Sequence, residues 1–169
     1  MRKLEIGTHE SKKGWETLDI LPPADIVADI TKTLPIEDNT YDEVYLSHVL
    51  EHVKWYRVKK VLKELHRILK PKGVIEIHVP DMGKIIEAYS GRTIPDRWYK
   101  FNADRDPFLW FVGRVYTYGE HDSDFHKGAF NEEYLKRILA DVGFVNLQLV
   151  EERENIHGYI NLGVKGMKL

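Results

Sequence analysis

The chain contains no cysteine, which excludes disulfides and thiolate-ligated metal sites. It also has no apolar run near the roughly 20 residues of a membrane span. Met1 to Gly7 enter a strand-like pattern at once, with nothing that reads as a signal peptide. A cytoplasmic location without membrane attachment is the expectation. Excess charge is lacking too: 25 Lys and Arg against 27 Asp and Glu leave a formal net charge of −2. That balance argues against bulk affinity for nucleic acid or membrane, though a local patch remains open. Repeats and low-complexity tracts are absent. The 169 residues, 43% of them hydrophobic, read as one globular domain over 1–169 with enough apolar material for a core.

What is present is clearest from Asp42 to Asp81. Glu43 to Ser47 is short, apolar and β-branched, as a buried strand requires. Val58, Val61, Leu62, Leu65, Ile68 and Leu69 recur at helical spacing, with Lys and Glu on the other face. Lys70 to Gly73 is expected to stop that helix, because Pro71 cannot continue it and Gly73 tolerates a turn. Val74 to Val79 then reads as a second strand. Strand, helix, strand is a βαβ unit, which demands a parallel sheet with a right-handed crossover. Ligands of such sheets bind beyond the strands' carboxyl ends, where Ser47, His48, Pro80 and Asp81 fall.

Upstream, Lys3 to Ile6, Trp15 to Ile20 and Ile26 to Ala28 read as short strands, with Asp19 and Asp29 near the ends of the last two. Eight residues separate Ile6 from Trp15, too few for the crossover of about a dozen that a parallel neighbour normally needs. Downstream, Asp81 is a plausible cap for a helix over Met82 to Ser90. Asn131, followed by Glu132 and Glu133, caps another that Gly143 ends. Val145 to Val150 and Tyr159 to Val164 suit a closing antiparallel hairpin. Between these helices, 91–128 breaks the rhythm with interleaved aromatics and arginines, among them Trp98, Trp110, Phe111, Arg97 and Arg114. Core under a loop, an interface and a substrate lid are the available readings, and a lid is the expectation.

Three motifs invite sharper chemistry. His48 to His52 spells H-x-x-E-H, a zinc pattern in which both imidazoles share a helical face and Glu51 acts as base; helix-start polar groups are the plainer reading. Lys54, Arg57, Lys59, Lys60, Lys63, Arg67, Lys70 and Lys72 make the central helix basic, which most simply marks a solvated face, with a phosphate-binding surface as the alternative. His126 is the lid residue suited to taking a proton from a hydroxyl or amine. A nicotinamide dinucleotide is disfavoured, because its pyrophosphate needs a Gly-rich turn with an acidic residue roughly 20 positions on. Asp19 follows Gly7 by only 12.

Taken in order, Leu4 to Gly7, Gly14 and Trp15 with Asp19, Asp25 and Asp29, Leu34 and Pro35, Ser47 to His52, Leu69 to Gly73, Val79 to Asp81 and Ala140 to Phe144 resemble the small class I S-adenosylmethionine-dependent methyltransferases of the type 11 group. The resemblance implies a Rossmann-like three-layer α/β/α sandwich. Its mostly parallel seven-stranded sheet would have an antiparallel last strand, and the eight-residue gap before Trp15 leaves the first crossover helix shortened or missing. It implies S-adenosylmethionine as cofactor, and methyl transfer to an O or N nucleophile of an unknown acceptor. Glu5, Gly7, Asp19, Ile20, Asp29, Ile30, Ser47, His48 and Val49 fall at the family's cofactor positions. Asp19 would accept the ribose hydroxyls and Asp29 with Ile30 would meet the adenine. His9 stands where a second glycine is expected, so a non-catalytic module on the same fold is an alternative. A zinc hydrolase through His48 and His52 is the other.

Overall fold

The computed structural model describes residues 1–8, 13–94, 105–117, 119, 121–151 and 158–169. His9 and the aromatic and basic residues of 95–104, Arg97 and Trp98 among them, lie outside the described residues. Seven strands form one sheet: β1 Lys3–Ile6, β2 Glu16–Asp19, β3 Ile26–Val27, β4 Tyr41–Ser47, β5 Leu69–Pro80, β6 Phe144–Val150 and β7 Asn161–Lys168. Their order is β3-β2-β1-β4-β5-β7-β6. The first five run parallel, and β7 lies antiparallel between β5 and β6. Among the described residues, four α-helices flank the sheet: α1 Val58–Ile68, α2 Met82–Ser90, α3 Pro107–Tyr116 and α4 Glu132–Val142. This is the expected Rossmann-like α/β/α arrangement. β1 and β2 are parallel neighbours, and no helix occurs between them among the described residues.

Alternation along the strands gives the sheet two unlike faces. Leu4, Ile6, Leu18, Val44, Leu46, Ile75, Ile77, Val79, Leu162 and Val164 point to one side, into a core they share with α1 and α4. The other side is polar: Thr17, Glu5, Tyr45, Glu76 and Lys165 lie side by side across β2, β1, β4, β5 and β7. Central parallel strands are usually apolar on both faces. Here Glu76 pairs with His78 at 3.1 Å and with Lys165 at 3.7 Å. A second, smaller core joins α2 and α3 through Ile85, Ala88 and Trp110, with Ile160 against them.

Local chemistry explains most boundaries. The Asp81 side chain caps α2 by accepting from the amides of Gly83 and Lys84. Asn131 caps α4 through Tyr134 N–H, and Gly143 ends it in the left-handed region. Two expectations need correction. β5 begins at Leu69, directly after α1, and Tyr41 already pairs with Leu69. The left-handed turn residue is Lys72, at φ +66°, whereas Gly73 is needed because a Cβ there would come within 2.7 Å of the Lys70 carbonyl oxygen. Gly158–Ile160 is a helical turn, so the last strand starts at Asn161 rather than at Tyr159. The basic face of α1 is solvated and ion-paired, with Lys59 on Asp141 and Arg67 on Glu64 and Asp38.

Candidate functional site

A cleft of about 800 Å³ opens beyond the carboxyl ends of the parallel strands, within the size range of small-molecule and cofactor sites. One wall is built by the ends of β1, β2 and β3. Gly7 follows β1 at φ +86° and donates its N–H to the Leu18 carbonyl at 2.8 Å. A Cβ on Gly7 would collide with the Val49 side chain, so the absence of a side chain lets the loop after β4 close against β1. Asp19 ends β2 on this wall, and its Oδ1 accepts from Leu21 N–H at 2.9 Å. Asp29 lies just past β3, with Oδ1 accepting from Thr31 N–H at 2.8 Å. Burial works to raise the Asp29 carboxyl, but the Thr31 hydroxyl and amide outweigh it and hold it below the usual carboxylate range. Ile20, Ile30 and Val49 add apolar surface to the same cleft.

The opposite wall comes from the loop after β4 and from described residues between Gly113 and Lys127. His48 takes φ +54°, an uncommon conformation for a residue with a Cβ. Its amide donates to the His78 carbonyl at 2.9 Å, which keeps β4 and β5 in register to the cleft's edge. Its ring lies between Asn161 Oδ1, 3.2 Å from Nε2, and Glu51 Oε1, 3.1 Å from Nδ1. The turn Leu50–His52 then carries Glu51, only 1% exposed. The Glu51 carbonyl accepts from both Lys127 and Gly128 N–H, at 2.7 and 2.9 Å, and His126 N–H donates to the Tyr116 carbonyl at 3.0 Å. These bonds strap the strand-end loop to the chain following α3, which brings His126 beside His52 with ring centroids 5.1 Å apart. Burial pushes the His126 imidazole below its ordinary value, against an opposing pull from Glu51. His126 is therefore neutral near pH 7.

Of the expected site residues, Gly7, Asp19, Ile20, Asp29, Ile30, His48, Val49 and His126 share this one cleft. Glu5 and Ser47 do not line it. Glu5 is buried in the polar row of the sheet, because alternation turns it away from Leu4 and Ile6. Ser47 still belongs to β4 and pairs with His78. The H-x-x-E-H segment is also arranged differently from its zinc reading. His48 precedes the turn and faces Asn161, while the residues whose ligand atoms converge, within 4.8 Å of one another, are Glu51, His52 and His126. Arg114, Asp124 and Lys127 also line the cleft; Arg114 belongs to the expected lid segment, whereas Asp124 carries no local sequence signal.

The donor set suits an adenosyl group. It offers two carboxylates for hydroxyl and amine donors, apolar lining from Ile20, Ile30 and Val49, and a bare backbone position at Gly7. Among the described residues, nothing in it resembles a glycine-rich cradle for a pyrophosphate. No described helix is long and apolar enough to cross a membrane.

Comparison with known proteins agrees. Residues 7–77 match the family model described as "Methyltransferase domain". A "Ubiquinone/menaquinone biosynthesis C-methyltransferase" of Roseobacter denitrificans is 27% identical over 143 residues, covering 81% of this chain and 52% of that protein. A "Demethylmenaquinone methyltransferase" of Staphylococcus aureus is 28% identical over 123 residues, covering 69% and 45%. The chain thus spans about half the length of these curated relatives. In fold it is similar to an S-adenosylmethionine-dependent methyltransferase of Methanosarcina mazei, with a TM-score of 0.64 at 17% identity and coverage of 99% of this chain and 92% of that one. One from Archaeoglobus fulgidus gives 0.62 at 17%, covering 99% and 86%. Over residues 7–77 the chain thus resembles a methyltransferase domain, and its fold is that of S-adenosylmethionine-dependent methyltransferases.

Proposed function

We propose that this chain transfers a methyl group from S-adenosylmethionine to an O or N nucleophile of an acceptor that enters between His48 and the 105–128 segment. The reading rests on one observation: the Gly7, Asp19 and Asp29 wall faces the same cleft as Glu51 and His126. Asp19 would hold the ribose hydroxyls, Asp29 and Ile30 the adenine, and Gly7, His48 and Val49 the methionine half. When bound, the cofactor supplies an electrophilic methyl group. The chain's own contribution is alignment of the nucleophile and removal of its proton. His126 is suited to the second task. Its Nδ1 lies 3.1 Å from the Arg114 carbonyl, an acceptor that selects the Nδ1–H tautomer and leaves the lone pair on Nε2. A proton arriving there is stabilised by the Glu51 carboxylate. The segment 91–128 is read as the acceptor lid.

Calorimetry with S-adenosylhomocysteine tests the cofactor half. Binding by the wild-type chain with a loss of about 10–100-fold in Asp19→Ala is expected, the worth of a charge-assisted hydrogen bond. Equal affinity of the two would remove Asp19 from the site, and no binding by the wild type would leave the fold as a non-catalytic module. A carbon acceptor is the second reading, favoured by the C-methyltransferase named among the relatives. It needs the same proton acceptor if the carbon is activated by loss of an acidic proton. Carbon-13 spectra of products labelled from the cofactor's methyl group separate O-, N- and C-methylation.

A further inference from the structure

Glu51 is the most deeply buried carboxylate at the cleft, and it is poorly satisfied. His48 Nδ1 approaches Oε1 to 3.1 Å, yet neither carboxylate oxygen receives a directed hydrogen bond among the described residues. His48 itself has reason to leave the carboxylate wanting. Its Nε2 faces Asn161 Oδ1, whose Nδ2 donates to His78 Nδ1 at 3.0 Å, while His78 Nε2 faces Glu76 Oε1 at 3.1 Å. That chain places the protons on Nε2 of both rings, so a neutral His48 presents a lone pair to Glu51 rather than a proton.

The two neighbouring imidazoles are set the same way. His52 Nδ1 lies 3.4 Å from the Phe125 carbonyl and His126 Nδ1 3.1 Å from that of Arg114. A backbone carbonyl on one ring nitrogen is the usual outer partner of a metal-ligating histidine, because it fixes the tautomer and leaves the other nitrogen basic. A buried carboxylate and two such rings, each offering a ligand atom within 4.8 Å of the others, form a cluster of donors for lone pairs with no cation among them. We propose that Glu51, His52 and His126 bind a zinc-class dication. Imidazole with carboxylate suits zinc, copper, iron or nickel rather than magnesium. Two histidines and one glutamate leave an open coordination position, as in catalytic rather than structural zinc sites. Ligand atoms of a tetrahedral zinc stand roughly 3.3 Å apart, so the triangle contracts by about 1.5 Å at most, within reach of side-chain rotation by the half-buried His52 and His126.

Binding of the ion does not depend on the methyl-transfer reading. Its consequence does: His126 cannot hold a metal and receive a proton on the same nitrogen, so the dication inhibits on that reading.

Zinc is titrated into chelator-treated protein by calorimetry, with Mg²⁺ in parallel and Co²⁺ absorption spectra on the same wild-type sample. One zinc per chain is expected, together with visible Co²⁺ bands of a low-coordinate nitrogen and oxygen site and no heat from Mg²⁺. The His52→Ala, His126→Ala double variant should lose affinity beyond the roughly 10–100-fold that removing an outer partner costs. Absence of zinc binding by the wild type, or equal binding by the double variant, overturns the proposal. The Co²⁺ spectrum needs no variant, so misfolding cannot mimic either result. S-adenosylhomocysteine binding is measured on the same proteins. Cofactor without zinc sinks the metal site alone, and zinc without cofactor sinks the methyltransferase reading alone.

Discussion

Asp19 and Asp29 differ from Glu51 in what their oxygens already hold. The two aspartates sit at strand ends and each accepts a backbone amide from two residues ahead, Leu21 and Thr31. Such contacts orient a carboxylate before any ligand arrives. Glu51 is buried with neither oxygen receiving a directed donor among the described residues, which carries a desolvation cost of about 1–3 kcal/mol. One end of the cleft is thus a finished seat and the other holds unspent interaction energy. Binding sites retain such unpaired groups where a ligand, a proton or an ion completes them.

The largest effect should come from spoiling the finished end. Gly7→Val adds a Cβ that meets Val49 and places a β-branched residue at φ +86°. Strain on the order of 2 kcal/mol corresponds to roughly 4–8 °C in Tm for a chain of this size, and S-adenosylhomocysteine binding should vanish from calorimetric range. A variant that melts like wild type and binds normally would show that the loop after β4 yields, and that the seat is not preformed. Glu51→Gln probes the other end with the opposite sign. Replacing a poorly satisfied buried carboxyl group by an amide should raise stability by about 1 kcal/mol, or roughly 2–4 °C, in a denaturant or thermal melt. A clear loss would mean that the His48 contact is a working ion pair, and the contrast between the two ends would disappear.

The finished end was also the legible one. Gly7, Asp19 and Asp29 follow short strands whose apolar cores and turn residues are local signals, and each lies at its expected strand end. α1, α2 and α4 were equally readable, because periodicity and the caps Asp81 and Asn131 act within a few residues. Glu5 lies on the polar face of the sheet for a physical reason: a motif gives a position along the strand, while alternation decides the face. At the unfinished end, sequence proximity suggested His48 with His52. The geometry joins His52 to His126 instead, 74 positions away by residue number. That partnership depends on the hydrogen bonds from Lys127 and Gly128 to the Glu51 carbonyl, and no local pattern encodes them.

The smallest effect, and the one that couples the two residues of the unfinished end, is the dependence of stability on pH. His126 and His66 are both pushed below the ordinary imidazole value, each mainly by burial, with Lys168 adding to the effect on His66. A histidine whose folded pKa lies below its unfolded value of about 6.5 binds a proton more readily when unfolded. Its contribution to stability is complete above that value and is lost as pH falls towards the folded pKa. The depressed carboxylates, Asp29 and Glu64 among them, act only in the more acidic range below about 4.5, so the two steps separate. Denaturant melts between pH 7.5 and pH 5 should therefore show a loss that is reduced in His126→Gln. Glu51→Gln should deepen the same step, because the carboxylate it removes is the group that draws the His126 pKa upward. If the step is the same size with and without that carboxylate, Glu51 and His126 do not sense each other, and neither shared proton chemistry nor a shared ion can be assigned to them.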